Sequence, residues 1–205
     1  MSKLDLLCKM PKRKKIKALE ESDSEEESNP DLVQRIQDRI YFHSEVNRTS
    51  VLKLIKLIDE AQKFAIDHGV KHLSLFIHSE GGDVYAGLSA MNHIQASKIP
   101  VTCIADGFVA SAATFILLGG STRLGMEHCM VLIHQMSTGF WGKYHELVEE
   151  MQNSEVVMEI MREVYQSTTT MKKKVISKLL TKETMLTMDE CIRHGVIHDK
   201  FAGKT

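Results

Sequence analysis

The chain has 205 residues, a formal net charge of -1 and a pI near 6.8. This length has room for one domain with a sizeable core, and the charge gives no chain-wide attraction to nucleic acid or to an anionic membrane. Hydrophobic residues make up 43% and charged residues 26% of the sequence, a balance that excludes a disordered or fibrous protein. The longest weakly polar stretch, residues 107–120, is shorter than the roughly 20 apolar residues of a membrane helix. We therefore expect neither a nucleic-acid partner nor a membrane span.

The cysteines and the N-terminus indicate the cellular compartment. The cysteines form no C-x-x-C motif and mostly fall in apolar runs, where a reduced, buried thiol is stable. They are Cys8, Cys103, Cys129 and Cys191. The apolar segment 4–7 is too short for a signal peptide, and the basic cluster follows it instead of preceding it. We expect a reducing, cytoplasmic location.

Residues 1–30 differ in composition from the rest of the chain. A basic block at 12–15 is followed by an acidic, serine-containing block at 20–28, and apolar residues are too few to offset the entropy lost on ordering. We predict a disordered charged tail over 1–30 and one domain over 31–205. Two interpretations of the tail remain open. It is either a solvated segment, or it carries a nuclear address, an acid-binding patch or phosphorylated serines.

The domain begins with a predicted strand and a predicted helix. The strand is Ile40–Phe42. Apolar residues at 51, 52, 54, 55, 57, 58, 61 and 65 have helical spacing, and they predict a helix over 49–68 that ends at Gly69.

Two βαβ units follow. In the first, a buried strand at 72–77 leads through the turn Ser79–Gly82 into a helix over 85–96. In the second, a strand at 101–105 is followed by a turn at Gly107 and by a helix from Ala110 to Leu118. A third strand is predicted at 129–133. This alternation predicts an α/β fold with a parallel sheet and right-handed crossovers.

The segment from Tyr144 to Lys174 is long, amphipathic and rich in methionine. Its apolar residues recur at spacings of three and four, which predicts one long helix. Two interpretations are equally supported by this pattern. The helix either covers the sheet or is an arm that packs against another subunit.

The residues that can carry chemistry follow the ends of the predicted strands. Parallel sheets place their sites beyond the carboxyl ends of the strands, so the loops after residues 77, 105 and 133 should converge. Ser111 lies at a predicted helix start among alanines, and His134 ends the third strand. Histidine is the side chain best suited to accept a serine proton near neutral pH. The amides of Gly82 and Ala112 are candidates for binding an oxyanion.

Each of these signals has an ordinary structural explanation. A serine at a helix start is commonly a cap, a histidine at a strand end is commonly structural, and two glycines commonly form a tight turn. The glycine pair is not part of a G-x-G-x-x-G motif, and no Walker lysine follows it. Only the joint placement of the serine, the histidine and the glycines favours a catalytic site.

Two other kinds of site are open to consideration. Lys98 is a conceivable base for a serine–lysine peptidase, although His134 makes it unnecessary. His194 and His198 are four residues apart, but Gly195 between them indicates a turn, and no H-E-x-x-H motif occurs. We predict no metal site.

Three segments together resemble the motifs of the ClpP family of peptidases. They are Ile77–Gly82, Gly107–Ala113 and Leu132–Gln135, in the order and approximate spacing of that family. The resemblance extends to Asp38–Phe42, which is similar to the family's first strand, and to Leu186–Ile197, which is similar to its C-terminal helix and turn. It covers about residues 30 to 200 and is specific as a set.

The resemblance implies a ClpP/crotonase-like α/β fold with stacked βαβ units and a protruding helical handle over about 137–180. It implies heptameric rings that stack in pairs as a tetradecamer around a chamber. Ser111 matches the nucleophile, His134 the base, and Gly82 with Ala112 the oxyanion donors. The family needs no metal or organic cofactor for cleavage. An AAA+ unfoldase would be a separate chain, because no ATP-binding motif occurs in this one.

Three positions depart from the family's pattern. Glu80 stands where the family usually has proline, and Ala112 stands where many members have methionine. Alignment on Gly195 places Glu183 where the family has the triad aspartate, and a glutamate can orient a histidine as well. Asp189 and Glu190 are the alternative orienting residues. The unusual tail is a feature that a specialised homologue, for instance a virus-encoded one, would carry.

The resulting expectation is a serine endopeptidase that cleaves peptides or unfolded proteins inside an oligomeric chamber, with a Ser-His-Glu or Ser-His-Asp triad. Two alternatives stand beside it. One is an inactive subunit of a mixed ring, suggested by Glu80 and Glu183. The other is a crotonase-like enzyme acting on an acyl-CoA thioester, which would not need a serine–histidine pair at these strand ends.

Overall fold

The computed structural model describes residues 32–203. Its strands are β1 Val33–Ile36, β2 Arg39–Phe42, β3 Leu73–Ser79, β4 Val101–Ala110, β5 Thr122–Gly125, β6 Met130–Leu132, β7 Met185–Leu186 and β8 Asp199–Lys200. Its helices are α1 Arg48–His68, α2 Val84–Gln95, α3 Ala113–Leu118, α4 Tyr144–Thr168, α5 Lys173–Lys182 and α6 Met188–Arg193. The predicted tail over 1–30 and Cys8 lie outside the described residues, so the boundary at 30/31 stays a prediction.

The strands form one mixed sheet, which confirms the predicted α/β fold. The main order is β1-β2-β3-β4-β5-β8, and β6 pairs with both β4 and β7. The central pairings are parallel, as predicted, while β1 and β7 are antiparallel to their neighbours. Strands β1, β5, β7 and β8 were not predicted, because none of them contains the run of three apolar residues that marks the equally short β2 and β6.

Strand β4 is longer than predicted. Its first half pairs with β5 and its second half with β6. Against β3, the register shifts from Ile77↔Ala105 to Ser79↔Val109, so β4 holds two extra residues there. Gly107, with φ +131°, lies within this bulge. The expected turn at Gly107 and the expected helix start at Ala110 are therefore wrong: the strand continues to Ala110, and α3 begins at Ala113.

Helices α1 and α2 are delimited by local signals in the sequence. Asn47 and Ser50 form a capping box at the start of α1, and Gly69, with φ +67°, ends it. The Asp83 carboxylate accepts hydrogen bonds from the amides of Tyr85 and Ala86 at the start of α2. Both helices agree with the predicted spans to within one or two residues.

The apolar core lies between the sheet and helices α1 to α3. Residues that alternate along β2, β3 and β4 point into it, as strand geometry requires. The fully buried large side chains of these strands include Ile40, Phe42, Leu73, Leu75 and Ile77. From the helices, Leu54, Phe115, Ile116 and Leu117 complete the same core.

The long segment predicted as one helix forms two helices. Helix α4 ends at Thr168 and α5 starts at Lys173. The hydroxyls of Thr168 and Thr169 donate to carbonyls one turn back, at 2.7 and 2.6 Å, and such bonds compete with helix continuation. The second half of α4 packs on the body of the domain, as the first interpretation expects, while packing of the first half against another subunit stays a prediction. Residues 141–156 include no buried side chain, whereas Val157 and later residues pack on the body.

The C-terminal segment forms a helix and a turn, as the resemblance implied, with α6 followed by a turn at Gly195, where φ is +68°. It then returns to the sheet as β8, which pairs with β5. The buried Arg123 guanidinium donates to the carbonyls of Thr168, Gly195 and Val196, each at 2.9 Å. This side chain therefore joins β5 to the end of α4 and to the C-terminal turn.

The described cysteines are free and buried, as expected of reduced thiols. Burial raises the pKa of Cys103 to about 12 and that of Cys129 to about 11. Such thiols are neutral near pH 7 and are poor nucleophiles. Between residues 32 and 203, no helix is long and apolar enough to cross a membrane.

Candidate active site

Ser111 occupies a turn between β4 and α3 in an uncommon backbone conformation. Its φ is +53°, in the left-handed region that L-residues rarely adopt. Its amide donates to the Leu132 carbonyl at 2.9 Å, and its carbonyl accepts a bond from the Thr114 amide at 3.0 Å. Strained residues of this kind persist where surrounding bonds determine them, and they are common at functional sites. The turn places Ser111 in a cleft with His134.

The strand registers explain why Ser111 and His134 meet. Strands β4 and β6 are parallel, with Ala110 opposite Leu132. Ser111 follows Ala110 by one residue and His134 follows Leu132 by two, so both lie beyond the same edge of the sheet. The predicted convergence of strand ends therefore holds for β4 and β6, with β4 ending five residues later than expected.

Glu183 is brought to His134 by the antiparallel pairing of β6 and β7. Leu132 lies opposite Met185, and the same register continued by two residues sets His134 opposite Glu183. Glu183 ends α5 in a left-handed conformation, with φ +47°. Its Oε1 lies 4.0 Å from His134 Nδ1, which is too far for a hydrogen bond.

The two members of this pair differ in exposure. The His134 side chain is 21% exposed and that of Glu183 is 62% exposed. The Nδ1 atom of His134 is buried and has no hydrogen-bond partner among the described residues. A buried donor or acceptor without a partner is unfavourable. A hydrogen bond from this atom to a carboxylate that moved closer would remove that cost.

The alternative orienting residues do not approach His134. Glu190 accepts bonds from the Thr187 amide and hydroxyl in the capping box of α6, at 2.9 and 3.0 Å. These bonds hold the pKa of Glu190 below its usual value. Asp189 lines a separate cavity together with Glu127 and Lys200. Among the described carboxylates, only that of Glu183 lies within 4 Å of a His134 ring nitrogen.

The two glycines after β3 pass directly beside Ser111. A Cβ on Gly81 would lie 2.6 Å from the Ala110 carbonyl oxygen and from the Ser111 Cβ. Only glycine fits there, and its φ of +96° also requires glycine. Gly82 forms an isolated β-bridge with Val46. The Val46 amide donates to the Gly81 carbonyl and the Asp83 amide donates to the Val46 carbonyl, each at 2.7 Å.

Two backbone amides beside Ser111 are free to bind a ligand. The Gly81 amide is occupied by the Ser79 hydroxyl at 3.1 Å. Within residues 32–203, the amides of Gly82 and Ala112 donate no hydrogen bond. Backbone amides without a partner in the cleft of a nucleophilic serine are the type of donor that stabilises a tetrahedral oxyanion.

The cleft around these groups has a volume of about 520 Å³. Its walls are mainly apolar. They include Val84, Tyr85, Phe115, Met136 and Met161. Glu80 and Asp83 contribute carboxylates at the rim. A peptide can therefore lie across Ser111 between a polar rim and an apolar wall.

The other candidate sites are not assembled. Lys98 precedes β4, at the opposite end of that strand from Ser111, and its amide donates to Gln62 at 2.8 Å. His198 accepts a bond from the Arg123 amide at 3.1 Å. No group of three or more metal-ligating side chains occurs in the part of the chain that the structure describes.

One pair of residues near the site was not anticipated. Thr114 and Tyr165 are fully buried, and their hydroxyls lie 2.7 Å apart. The available signal was Thr114 itself, the one hydroxyl side chain in the apolar run from Ala113 to Leu118. Tyr165 is distant in sequence and gave no indication of this contact.

The comparisons with known proteins point to one family. The family model described as Clp protease matches residues 24–202. The chain is 36% identical over 132 residues to the ATP-dependent Clp protease proteolytic subunit of Ostreococcus tauri, covering 62% of this chain and 64% of that protein. It is 34% identical over 136 residues to the protein of the same name from Cucumis sativus, covering 65% and 70%. The corresponding protein of Nasturtium officinale is 29% identical over 163 residues, covering 78% and 82%. The family model spans most of the chain, and the sheet is of the expected kind. The chain therefore belongs to the Clp protease family.

Proposed function

We propose that this chain is a serine endopeptidase in which Ser111 is the nucleophile and His134 the general base. The observation that carries the proposal is the position of Ser111 in a strained turn. It shares one cleft with His134, Gly82 and Ala112, and the backbone amides of Gly82 and Ala112 have no partner among the described residues. Membership of a protease family supports the same reaction.

The proposed reaction has two steps. His134 accepts the Ser111 proton as Oγ attacks the peptide carbonyl carbon, and the amides of Gly82 and Ala112 stabilise the oxyanion that forms. The intermediate collapses when His134 protonates the leaving amine, leaving an acyl group on Ser111. His134 then accepts a proton from a water molecule as the water oxygen attacks the acyl carbon. When the acyl group leaves as a carboxylic acid, His134 returns the proton to Ser111 Oγ, which restores the serine.

Glu183 is proposed to orient His134 and to stabilise its cationic form. The 4.0 Å separation needs to shorten by about 1 Å to become a hydrogen bond. The exposed Glu183 side chain has room for this movement, and catalytic hydrogen bonds often tighten only when substrate is bound.

We also propose the assembly that the family implies. This is a heptamer, or two stacked heptamers, that encloses peptide or unfolded-protein substrates and receives them from a separate AAA+ unfoldase in the cytoplasm. The relatives' name, ATP-dependent Clp protease proteolytic subunit, supports the subunit role. The exposed apolar side chains on the first half of α4 support contacts with other subunits.

One observation favours a second candidate, an inactive ring subunit. His134 Nδ1 is without a partner among the described residues, and Glu183 is not within hydrogen-bond distance of it. The third candidate, an acyl-CoA enzyme, has no comparable observation in its favour.

The test is hydrolysis of a short fluorogenic peptide by the full chain, with oligomer mass recorded on the same samples. We expect Ser111→Ala to abolish cleavage without changing the mass. Glu183→Gln and Glu183→Ala should each lower kcat by about 10²-fold or more. Undiminished cleavage by Ser111→Ala would refute the mechanism, and an assembled but inactive wild type would favour the inactive subunit.

A further inference from the structure

The backbone of Ser111 is held by a side chain outside the proposed catalytic groups. The Thr114 hydroxyl donates to the Ser111 carbonyl at 2.6 Å, and the Thr114 amide donates to the same oxygen at 3.0 Å. On the other side, the Ser111 amide is bound to Leu132 at 2.9 Å. These bonds hold both ends of a residue whose φ of +53° is unfavourable by itself.

The Thr114 hydroxyl is in turn held by Tyr165. The two oxygen atoms lie 2.7 Å apart. A threonine hydroxyl has one hydrogen, which Thr114 donates to Ser111, so Tyr165 is the donor to Thr114. Burial raises the pKa of Tyr165 far above its ordinary value. The phenol therefore keeps its proton, and remains a donor, near neutral pH.

Tyr165 connects this chain of bonds to helix α4. Its ring packs against Phe115 with the ring centroids 5.6 Å apart. Met161, one turn earlier on α4, lines the cleft that contains Ser111. The same face of α4 thus forms a wall of the cleft and determines the position of the Thr114 hydroxyl.

We propose that Thr114 and Tyr165 are positioning residues that keep the Ser111 turn in the conformation needed for attack. Neither side chain touches the reacting atoms. Each acts through the next, from the phenol of Tyr165 to the hydroxyl of Thr114 and then to the carbonyl of Ser111. The inference rests on the proposed function, because it requires Ser111 to be the nucleophile.

The test compares the rate at which a serine-directed fluorophosphonate labels Ser111 with kcat and KM for a fluorogenic peptide. Thr114→Val keeps the shape of the side chain and removes the hydroxyl. We expect it to lower the labelling rate and kcat by about tenfold, with KM changed by less than about twofold. Thr114→Ser restores the hydroxyl and should stay within about twofold of wild type.

Tyr165→Phe removes the second bond of the chain and should lower both rates by about threefold. Because the two residues act in series, the double variant Thr114→Val/Tyr165→Phe should be no slower than about the Thr114→Val protein alone. Additive losses in the double variant would contradict the series arrangement.

Thr168→Val is the matched control. Thr168 lies on α4, as Tyr165 does, and its hydroxyl also donates to a backbone carbonyl at 2.7 Å. That carbonyl belongs to Val164 and not to Ser111. We expect wild-type labelling and turnover from this variant. The thermal midpoint of every variant is recorded, because a purely structural role would lower the midpoint and leave the labelling rate unchanged.

Two results would overturn the inference while the proposed function stands. One is a folded Thr114→Val protein that is labelled and turns over at the wild-type rate. The other is a Thr114→Ser protein as impaired as Thr114→Val, which would show that any change in side-chain packing at this position lowers the rate and that the hydroxyl is not the cause. If wild type is neither labelled at Ser111 nor able to cleave peptide, the proposed function itself fails.

Discussion

The backbone at Gly81 passes close to Ser111. A side chain there would meet the Ala110 carbonyl oxygen, the Ser111 Cβ and the Ala112 amide, and the Ala110 carbonyl cannot move without displacing β4. Gly81 therefore sets the distance between the loop after β3 and the Ser111 turn.

Gly81→Ala is expected to abolish peptide cleavage and to lower the free energy of unfolding by about 2–4 kcal/mol, through overlap and an unfavourable positive φ. Urea denaturation and peptide hydrolysis measure the two effects. Gly69→Ala is the control: φ there is +67°, but no atom lies within 4 Å of the added Cβ. It should lose about 1 kcal/mol and no activity. Equal losses of activity in the two variants would show that strain, and not proximity to Ser111, is responsible.

Glu80 gives the cleft a charge. It is exposed at the rim, and its side chain makes no hydrogen bond or ion pair with any other residue between 32 and 203. Asp83 is also at the rim, but one of its carboxylate oxygens caps α2. Asp83 also lines an adjoining groove, where Arg48 is another lining residue. Glu80 is therefore the carboxylate most available to a substrate side chain.

We expect peptides with lysine beside the scissile bond to be cleaved with kcat/KM about two- to fivefold higher than matched peptides with glutamate. Glu80→Gln should remove this preference, and so should salt, because screening shortens the Debye length to about 3 Å at 1 M. Glu163→Gln, an exposed carboxylate on α4 outside the cleft lining, is the control. An unchanged preference in the Glu80→Gln protein would contradict the prediction.

At the scale of secondary-structure elements, Arg123 lies where several helices end. The cavity that it lines is bordered by the last residues of α2, α3 and α4. Helix C-termini carry partial negative charge, which compensates a buried guanidinium that has no carboxylate partner in the described part of the chain. Burial lowers the pKa of Arg123, yet an arginine remains charged at neutral pH.

Arg123→Met is expected to lower the free energy of unfolding by about 3 kcal/mol, because buried carbonyls lose charged donors. Thermal or urea denaturation measures it. Arg162→Met is the matched control, since Arg162 is bound on the surface to Glu155 and Glu159 at 2.8 Å each. Its loss should be below about 1 kcal/mol. Similar losses in the two variants would contradict the account of Arg123.

At the scale of the whole molecule, the first half of α4 exposes apolar side chains that no other described residue covers. Trp141 just before it is 94% exposed and Met151 is 74% exposed. Tyr144, Leu147 and Met151 recur at helical spacing, so they share one face. Apolar side chains grouped in this way indicate contact with another protein surface.

If this face joins subunits, Leu147→Glu/Met151→Glu should lower the mass of the assembly measured by sedimentation velocity, while the protein keeps its helical circular dichroism. Glu149→Gln, on another face of the same half of α4, should leave the mass unchanged. An assembly of wild-type mass from the double variant would show that subunits meet elsewhere, and a monomeric wild type would refute the proposed ring.

Much of the fold could be predicted because the relevant signals are local. The capping residues and apolar spacing of α1 and α2 lie within the segments that they organise. The short strands β5, β7 and β8 could not be predicted, because two to four residues become a strand only when a neighbour supplies the hydrogen bonds. The end of α4 was missed for a related reason: threonines at 168 and 169 are compatible with either outcome until the chain beyond them packs.

The sequence by itself determined the kinds of residue at the site: a serine among small neighbours, a histidine after a buried strand, and two adjacent glycines. Tertiary structure decided their conformation and their partners. The left-handed turn at Ser111 depends on hydrogen bonds to β6 and to Thr114, and the approach of Glu183 to His134 depends on the register of β6 and β7. Apart from the bond between Thr114 and Ser111, which are three residues apart, these contacts join residues far apart in the chain. No local pattern encodes them, because their free energy arises only when the sheet and helix α4 come together.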